Sequence, residues 1–197
     1  MDDKRLLNFY LARGGAEAQR WNLSPENLAA ELAGRRLLQK WVRPTRGLEV
    51  CNVGIGVGEW DDFLGYWLAG RGKLTSVDND KGVCDVFRYR QRRERHPNPS
   101  RVLCRDLLAK PAASGTFDLV TLIGSTASET GAFHAAVGGC FRLLKPGGRL
   151  FYTDFRGFRA PGDFRSAVRD LGGRVVHFSD SLRQGFTHFS FLARRPG

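Results

Sequence analysis

From Thr45 onward, short apolar runs alternate with segments whose apolar side chains recur every three or four residues. That is the pattern of strands buried in a parallel sheet and joined by amphipathic helices. Residues 48–53, 74–77, 101–104, 117–123 and 149–153 read as strands, each followed within two residues by Gly or Asp. Between them, residues 59–69 set Trp60, Phe63, Leu64, Trp67 and Leu68 at helical spacing. A basic helix is expected from Gly82 to about His96, stopped by Pro97 and Pro99, and another over 133–144, stopped by Lys145-Pro146-Gly147-Gly148. A helix over 163–171 and two strands, 174–178 and 187–193, close the chain, the strands predicted as an antiparallel pair. Residues 1–44 predict two helices, 2–11 and 25–41, the second opened by Ser24 as N-cap and Pro25 at the first helical position. With no strand partners, they are expected across the carboxyl edge of the sheet as a lid (1–44), leaving 45–197 as the sheet domain.

The 197 residues suffice for one core without disulfides. No apolar run approaches the roughly 18 residues of a membrane span, and the start, Met1-Asp-Asp-Lys-Arg, does not read as a secretory signal. Cys51, Cys84, Cys104 and Cys140 form no CxxC pair and have no His at ligand spacing, so no metal site is expected and a cytoplasmic location fits. The net charge of +11 invites a nucleic-acid reading, but it is uneven. Residues 47–87 hold three basic and seven acidic groups, whereas 88–105 hold seven basic and one acidic.

The densest local signal is Asn52-Val-Gly54-Ile-Gly56-Val-Gly58 at a strand-to-helix turn. Glycines there permit a tight turn and close approach of a ligand to the backbone. A dinucleotide fingerprint would need Gly at position 59, where this chain has Glu59, followed by Asp61 and Asp62. Three carboxylates suit a helix N-terminus but repel a pyrophosphate. No GK[ST] follows, so a P-loop is excluded too. The loop suits a nucleoside-like ligand without phosphates, preferably cationic. Asp78, 20 residues after Gly58, can accept both ribose hydroxyls, with Asp80 as its rival. Asp106 sits where an adenine amino group could be read.

Together with Val77-Asp78, Arg105-Asp106-Leu107, Phe117-Asp118-Leu-Val120 and Leu143-Leu-Lys-Pro-Gly-Gly-Arg-Leu150, this loop resembles the class I S-adenosylmethionine-dependent methyltransferases over about residues 45–195. The resemblance implies an α/β, doubly wound, mostly parallel seven-stranded sheet with a reversed C-terminal hairpin. It implies S-adenosylmethionine as cofactor, with Gly54, Gly56 and Gly58 lining its methionine portion and ribose. Asp78, with Asn79 beside it, would hold the ribose hydroxyls, Asp106 the adenine amino group and Leu107 the ring. Gly124 and Ser125 would face the methionine amino group. The family usually has Asp or Glu where this chain has Asn52, which keeps hydrogen bonding to the cofactor but gives up the charge.

Methyl transfer from a sulfonium needs alignment and exclusion of water, and a base only where the acceptor carries a proton that must leave. Glu129 and Asp154 are the candidate bases; Tyr10, Trp21, Ser128, Phe155 and Phe158 are the candidate acceptor contacts. His188 is expected to be a sheet or surface residue. With little chain beyond the core, a small-molecule acceptor is the leading expectation, with no membrane partner and a homodimer left open. The alternatives are methylation of RNA or protein, resting on Arg88, Arg90, Arg92, Arg93 and Arg95, and an S-adenosylmethionine-binding protein that transfers no methyl group.

Overall fold

The computed structural model describes residues 1–13, 24–109, 114–124 and 126–197, with the side chains of 9–13 and 183 left undescribed. Its sheet is formed by β1 (Leu48–Val53), β2 (Gly72–Asp78), β3 (Arg101–Cys104), β4 (Phe117–Ile123), β5 (Leu144–Phe155), β6 (Arg174–Asp180) and β7 (His188–Arg194). The order is β3-β2-β1-β4-β5-β7-β6. The first five strands are parallel, and β7 runs antiparallel to both β5 and β6, as the expected reversed hairpin requires. β1 and β4 are buried on both faces, which is why they read as nearly continuous apolar runs.

Helices α1 (Asp3–Arg13), α2 (Pro25–Trp41), α3 (Glu59–Leu68), α4 (Lys81–Arg93), α5 (Thr126–Glu129), α6 (Phe133–Leu143) and α7 (Pro161–Asp170) surround the sheet. One face packs Leu38 and Val42 at the end of α2, and Trp60, Leu64 and Leu68 of α3, against Val50, Leu74, Leu119, Phe151 and Leu192. The other packs α6 and α7 against Cys51, Val120, Leu122, Leu150, Tyr152 and Phe191. Successive residues of β5, Phe151 and Tyr152, serve opposite faces, as strand alternation demands.

α2 begins as expected: the Ser24 hydroxyl accepts the Asn27 N–H at 3.1 Å, with Pro25 following. Its placement differs from the expectation. α2 does not lie across the carboxyl edge; it runs along a sheet face, with Leu38 fully buried. Only its first turn reaches that edge, where Glu26 accepts the backbone and hydroxyl of Thr187. The apolar stripe of α2 required a partner, and the sheet face beside α3 supplied it. α1 sits against α4, through Asp3 with Tyr89 and Arg93. Of the cysteines, Cys51, Cys84 and Cys140 are buried and Cys104 is exposed.

If α2 belongs to the core, Leu38→Ala lowers unfolding free energy by about 2–5 kcal/mol. Leu32→Ala, on the exposed face of the same helix, changes it by less than about 0.5 kcal/mol. Chemical denaturation monitored by circular dichroism measures both; equal effects would place α2 outside the core.

Candidate functional site

β1 runs into a turn built on three left-handed glycines, Gly54 (φ +84°), Gly56 (φ +56°) and Gly58 (φ +83°). A β-carbon on Gly54 would lie 2.5 Å from Thr126 Oγ1, and one on Gly58 2.7 Å from the Phe87 ring. One on Gly56 would meet nothing within 4 Å. Gly54 and Gly58 therefore let the loop pack against β4's exit and α4, while Gly56 presents the open backbone that a ligand can approach.

Three side chains hold this loop. Asp78, at the end of β2, accepts the Ile55 N–H at 2.8 Å on one carboxylate oxygen and the Asp80 N–H at 2.9 Å on the other. Each oxygen keeps a lone pair, enough for two ribose hydroxyls. Its rival Asp80 is the N-cap of α4, accepting the Val83 N–H at 3.0 Å, so Asp78 is the better placed of the two. Arg90 donates to Val57 O at 2.6 Å and Gly58 O at 3.3 Å and pairs with Asp62.

The third is Asn52, which is 1% exposed. Its Nδ2 donates to Gly54 O at 2.9 Å and to Asp61 Oδ2 at 2.8 Å, and its Oδ1 accepts the Thr121 hydroxyl at 2.7 Å. Thr121 in turn accepts the Trp60 Nε1–H at 3.2 Å. With both amide protons committed inside the protein, Asn52 braces the loop and does not present its amide to a cofactor. Asp61 completes the network by accepting from Ser76, which contacts Ser100 Oγ at 2.5 Å. Burial pushes the Asp61 carboxyl up to about 7, against the hydrogen bonds from Ser76 and Asn52 that lower it. Sequence reasoning grouped Asp61 with Glu59 and Asp62 as helix-end acids; the structure exposes Glu59, pairs Asp62 with Arg90 and buries Asp61.

At the β3 exit, Asp106 is exposed and accepts the Leu108 N–H at 2.8 Å on one oxygen. The half-buried Leu107 side chain packs toward α6, 2.8 Å from where a β-carbon on Gly139 would stand. Asn79 is exposed beside Asp78. Gly124 has φ +65° with open space over it; Ser125 and Trp21 lie outside the described residues, as does the side chain of Tyr10.

The two candidate bases part company. Glu129 is exposed on the short α5. Asp154 is fully buried, accepting the Tyr152 hydroxyl and the Phe155 N–H, and burial raises its carboxyl above the ordinary value. Strand alternation sends it into the core on the same face as Tyr152, so it offers no open oxygen to an acceptor. The Ser128 hydroxyl is enclosed without a hydrogen-bond partner among the described residues. Phe155 and Phe158 come together edge-to-face at 6.3 Å.

His188, expected to be a sheet or surface residue, is buried at the start of β7. It pairs with Phe155 in register at the carboxyl edge, its rings 6.4 Å apart. Its Nδ1 is enclosed without a hydrogen-bond partner among the described residues, 3.9 Å from Glu26. Burial holds the imidazole below its usual value, so it is neutral near pH 7. It lines a cleft of about 300 Å³ between α2 and the β6–β7 hairpin, with Ala29, Ala33, Leu37 and Ser181. A cavity of about 420 Å³ at the opposite, strand-start edge is lined by Asp118, paired there with Lys145. Among the described residues no group of side chains could hold a metal ion, and no helix is long and apolar enough to cross a membrane.

Three of the five arginines bond within the chain, while Arg92 and Arg95 are exposed. Arg88 binds Asp85 and Val102 O, Arg90 holds the glycine loop and Arg93 meets Asp3.

A family model described as "Methyltransferase domain" matches residues 50–148, half of the chain. The ubiquinone/menaquinone biosynthesis C-methyltransferase UbiE of Ruegeria sp. (strain TM1040) is 28% identical over 134 residues, covering 68% of this chain and 52% of that protein. The chain spans about half the length of the curated relatives it matches. Among solved structures, a SAM dependent methyltransferase from Aquifex aeolicus superposes with a TM-score of 0.70 at 15% identity, covering 98% of each chain. The [4+2]-cyclase SpnF reaches the same TM-score at 15% identity, covering 85% of this chain and 81% of that one. These likenesses carry the doubly wound fold, and the cyclase shows that the fold by itself does not name a reaction.

The raised carboxyl of Asp61 makes a stability prediction. A carboxylate held above its unfolded value contributes stability in full below that value and loses it as pH rises toward about 7. Asp61→Asn should therefore remove about 2–3 kcal/mol of the wild-type decline in stability between about pH 5 and pH 8. Urea unfolding at both pH values checks this, and an unchanged decline would show that Asp61 does not titrate there.

Proposed function

The chain belongs to the methyltransferase-domain family, and from that premise we propose that it moves the methyl group of S-adenosylmethionine to a small-molecule acceptor by in-line displacement. The observation that carries the reading is the glycine turn, open at Gly56 and backed by a half-buried Asp78 whose oxygens keep lone pairs. An acidic loop that repels phosphate and an open backbone suit a cationic nucleoside, so the residues present fit this cofactor. When bound, it supplies a methyl group on a positively charged sulfur that leaves without further activation. Asp78 would hold the ribose, Asp106 the adenine amino group, and the Gly56 backbone would let the methionine portion lie close.

The acceptor side is proposed at the carboxyl ends of β5 and β7. Phe155 and Phe158 offer apolar ring surface, and the cleft beside His188 has the volume of a small molecule. The likeness to ubiquinone/menaquinone biosynthesis C-methyltransferases supports the same reading, an aromatic acceptor. The first turn of α2 is proposed to form part of the wall, tied to this edge by Glu26 and Thr187, with Tyr10, Trp21 and Ser128 as proposed contacts. Where the acceptor must lose a proton, His188, buried but lining the cleft, is a better candidate than Asp154, whose two oxygens are both engaged within the chain. Methylation of RNA or protein has less support, since Arg88, Arg90 and Arg93 already bond within the chain.

Calorimetry with S-adenosylmethionine, followed by assay of S-adenosylhomocysteine with phenols and hydroquinones, tests the proposal. Asp78→Ala should weaken cofactor binding at least about tenfold, while His188→Ala leaves cofactor affinity intact and lowers turnover of hydroxylated acceptors at least about tenfold. Tight cofactor binding with no turnover on any acceptor would favour a protein that binds the cofactor without transferring its methyl group.

A further inference from the structure

Asp61 is the buried titratable group to which the reading above gives no task. It is 1% exposed at the third residue of α3, and both its hydrogen-bond donors, Ser76 Oγ and Asn52 Nδ2, are neutral. The charged groups that act on it are Asp62 on its own helix and Arg90 from α4, and Arg90 is engaged with Asp62, Val57 O and Gly58 O. Cys51 on β1, also within its field, is a fully buried thiol pushed above its ordinary value and so neutral. From β2 it accepts the hydroxyl of Ser76, which in turn contacts the Ser100 hydroxyl in the turn before β3. A carboxylate buried among neutral donors is costly to fold, because those donors offset only part of its lost hydration.

Asn52 links this carboxylate to the loop. One amide proton goes to Asp61 Oδ2 and the other to Gly54 O, 2.8 and 2.9 Å away. An aspartate at position 52 would aim an acceptor at two acceptors. The neutral residue at 52 and the acid at 61 are therefore a matched pair. The acid missing from the strand end lies one hydrogen bond behind the glycine turn.

We propose that Asp61, acting through Asn52, is a positioning residue that supplies the counter-charge for the cationic methionine end of S-adenosylmethionine. The inference rests on the cofactor assignment made above. A buried charge is screened far less than a surface one, so it can act across the loop. A cation arriving on the loop favours the ionised carboxylate, so binding near neutral pH releases a fraction of a proton from Asp61 to solvent. The raised titration of Asp61, at about 7, sets that window.

The test is calorimetry of the full chain with S-adenosylmethionine, in buffers of different ionisation enthalpy, across about pH 5.5 to 8.5. 5′-Methylthioadenosine, which lacks the charged methionine end, is the control ligand. Wild type should release a proton fraction near pH 7, and its affinity for S-adenosylmethionine relative to methylthioadenosine should rise roughly tenfold across the range. Asp61→Asn should lose both effects while keeping methylthioadenosine affinity. Asn52→Asp should bind worse than wild type, and Asn52→Asp/Asp61→Asn should return to within about threefold of it. Should Asp61→Asn fail to fold, Ser76→Ala removes a donor to the ionised form and must move the proton-release window to higher pH. Proton release unchanged in Asp61→Asn, or equal weakening of both ligands, would overturn the counter-charge role. Wild type binding neither ligand would overturn the cofactor assignment, and this inference with it.

Discussion

One row of hydrogen-bonded side chains crosses the middle of the sheet, and the site depends on it. Leu119, Val50 and Leu74 are register partners on β4, β1 and β2, and all three belong to the apolar core beneath α2 and α3. Two residues further along, on the same face, the partners are Thr121, Asn52 and Ser76. The interior thus turns polar just before the strands end. Trp60 and Asp61 of α3 close over that row, the indole on Thr121 and the carboxylate on Asn52 and Ser76. A slip of any of the three strands by one residue would leave these groups unpaired in the core, at a cost per group comparable to a whole helix cap. The network therefore fixes strand register and the entry angle of α3 together, and the glycine turn spans the gap between them.

Much of this architecture is legible in the chain. The strand runs, the Ser24 cap, the glycine turn and the reversed hairpin follow from periodicity and from residues whose backbone preferences are strong. The site acids are harder, because position in sequence does not state azimuth. Asp61 looks like a helix-dipole acid by its place in the first turn. Yet 61, 64 and 68 lie on one helical stripe, and the other two are core leucines, so the periodicity carried the information that it is buried. Asp154 repeats the point on a strand: Leu150, Tyr152 and Asp154 alternate onto one face, and the first two are core. His188 and the placement of α2 were not legible. Both depend on which surface packs against which, and an apolar stripe says only that it needs a partner.

Net charge was the least informative quantity. A sum of +11 treats every guanidinium as equivalent, whereas their fates differ. Of the side chains that suggested a polyanion surface, Arg88, Arg90 and Arg93 turn toward carboxylates or carbonyls of their own chain, while Arg92 and Arg95 are exposed. Acidic Asp78, Asp80 and Asp85 sit around the start of the same helix, so the field there is mixed.

The grip of α4 on the glycine turn also bears on how this sequence can drift. Arginine makes up most of the basic residues, and exchange of Arg for Lys is among the easiest surface changes a lineage can make. At Arg92, which is exposed, such a change alters little. Arg90 reaches two carbonyls and a carboxylate at once with its fork of donors, a geometry that a single ammonium cannot reproduce. Two residues apart on one helix, the same letter is therefore under opposite constraint, and relatives that keep a basic α4 by composition alone need not keep the loop it holds.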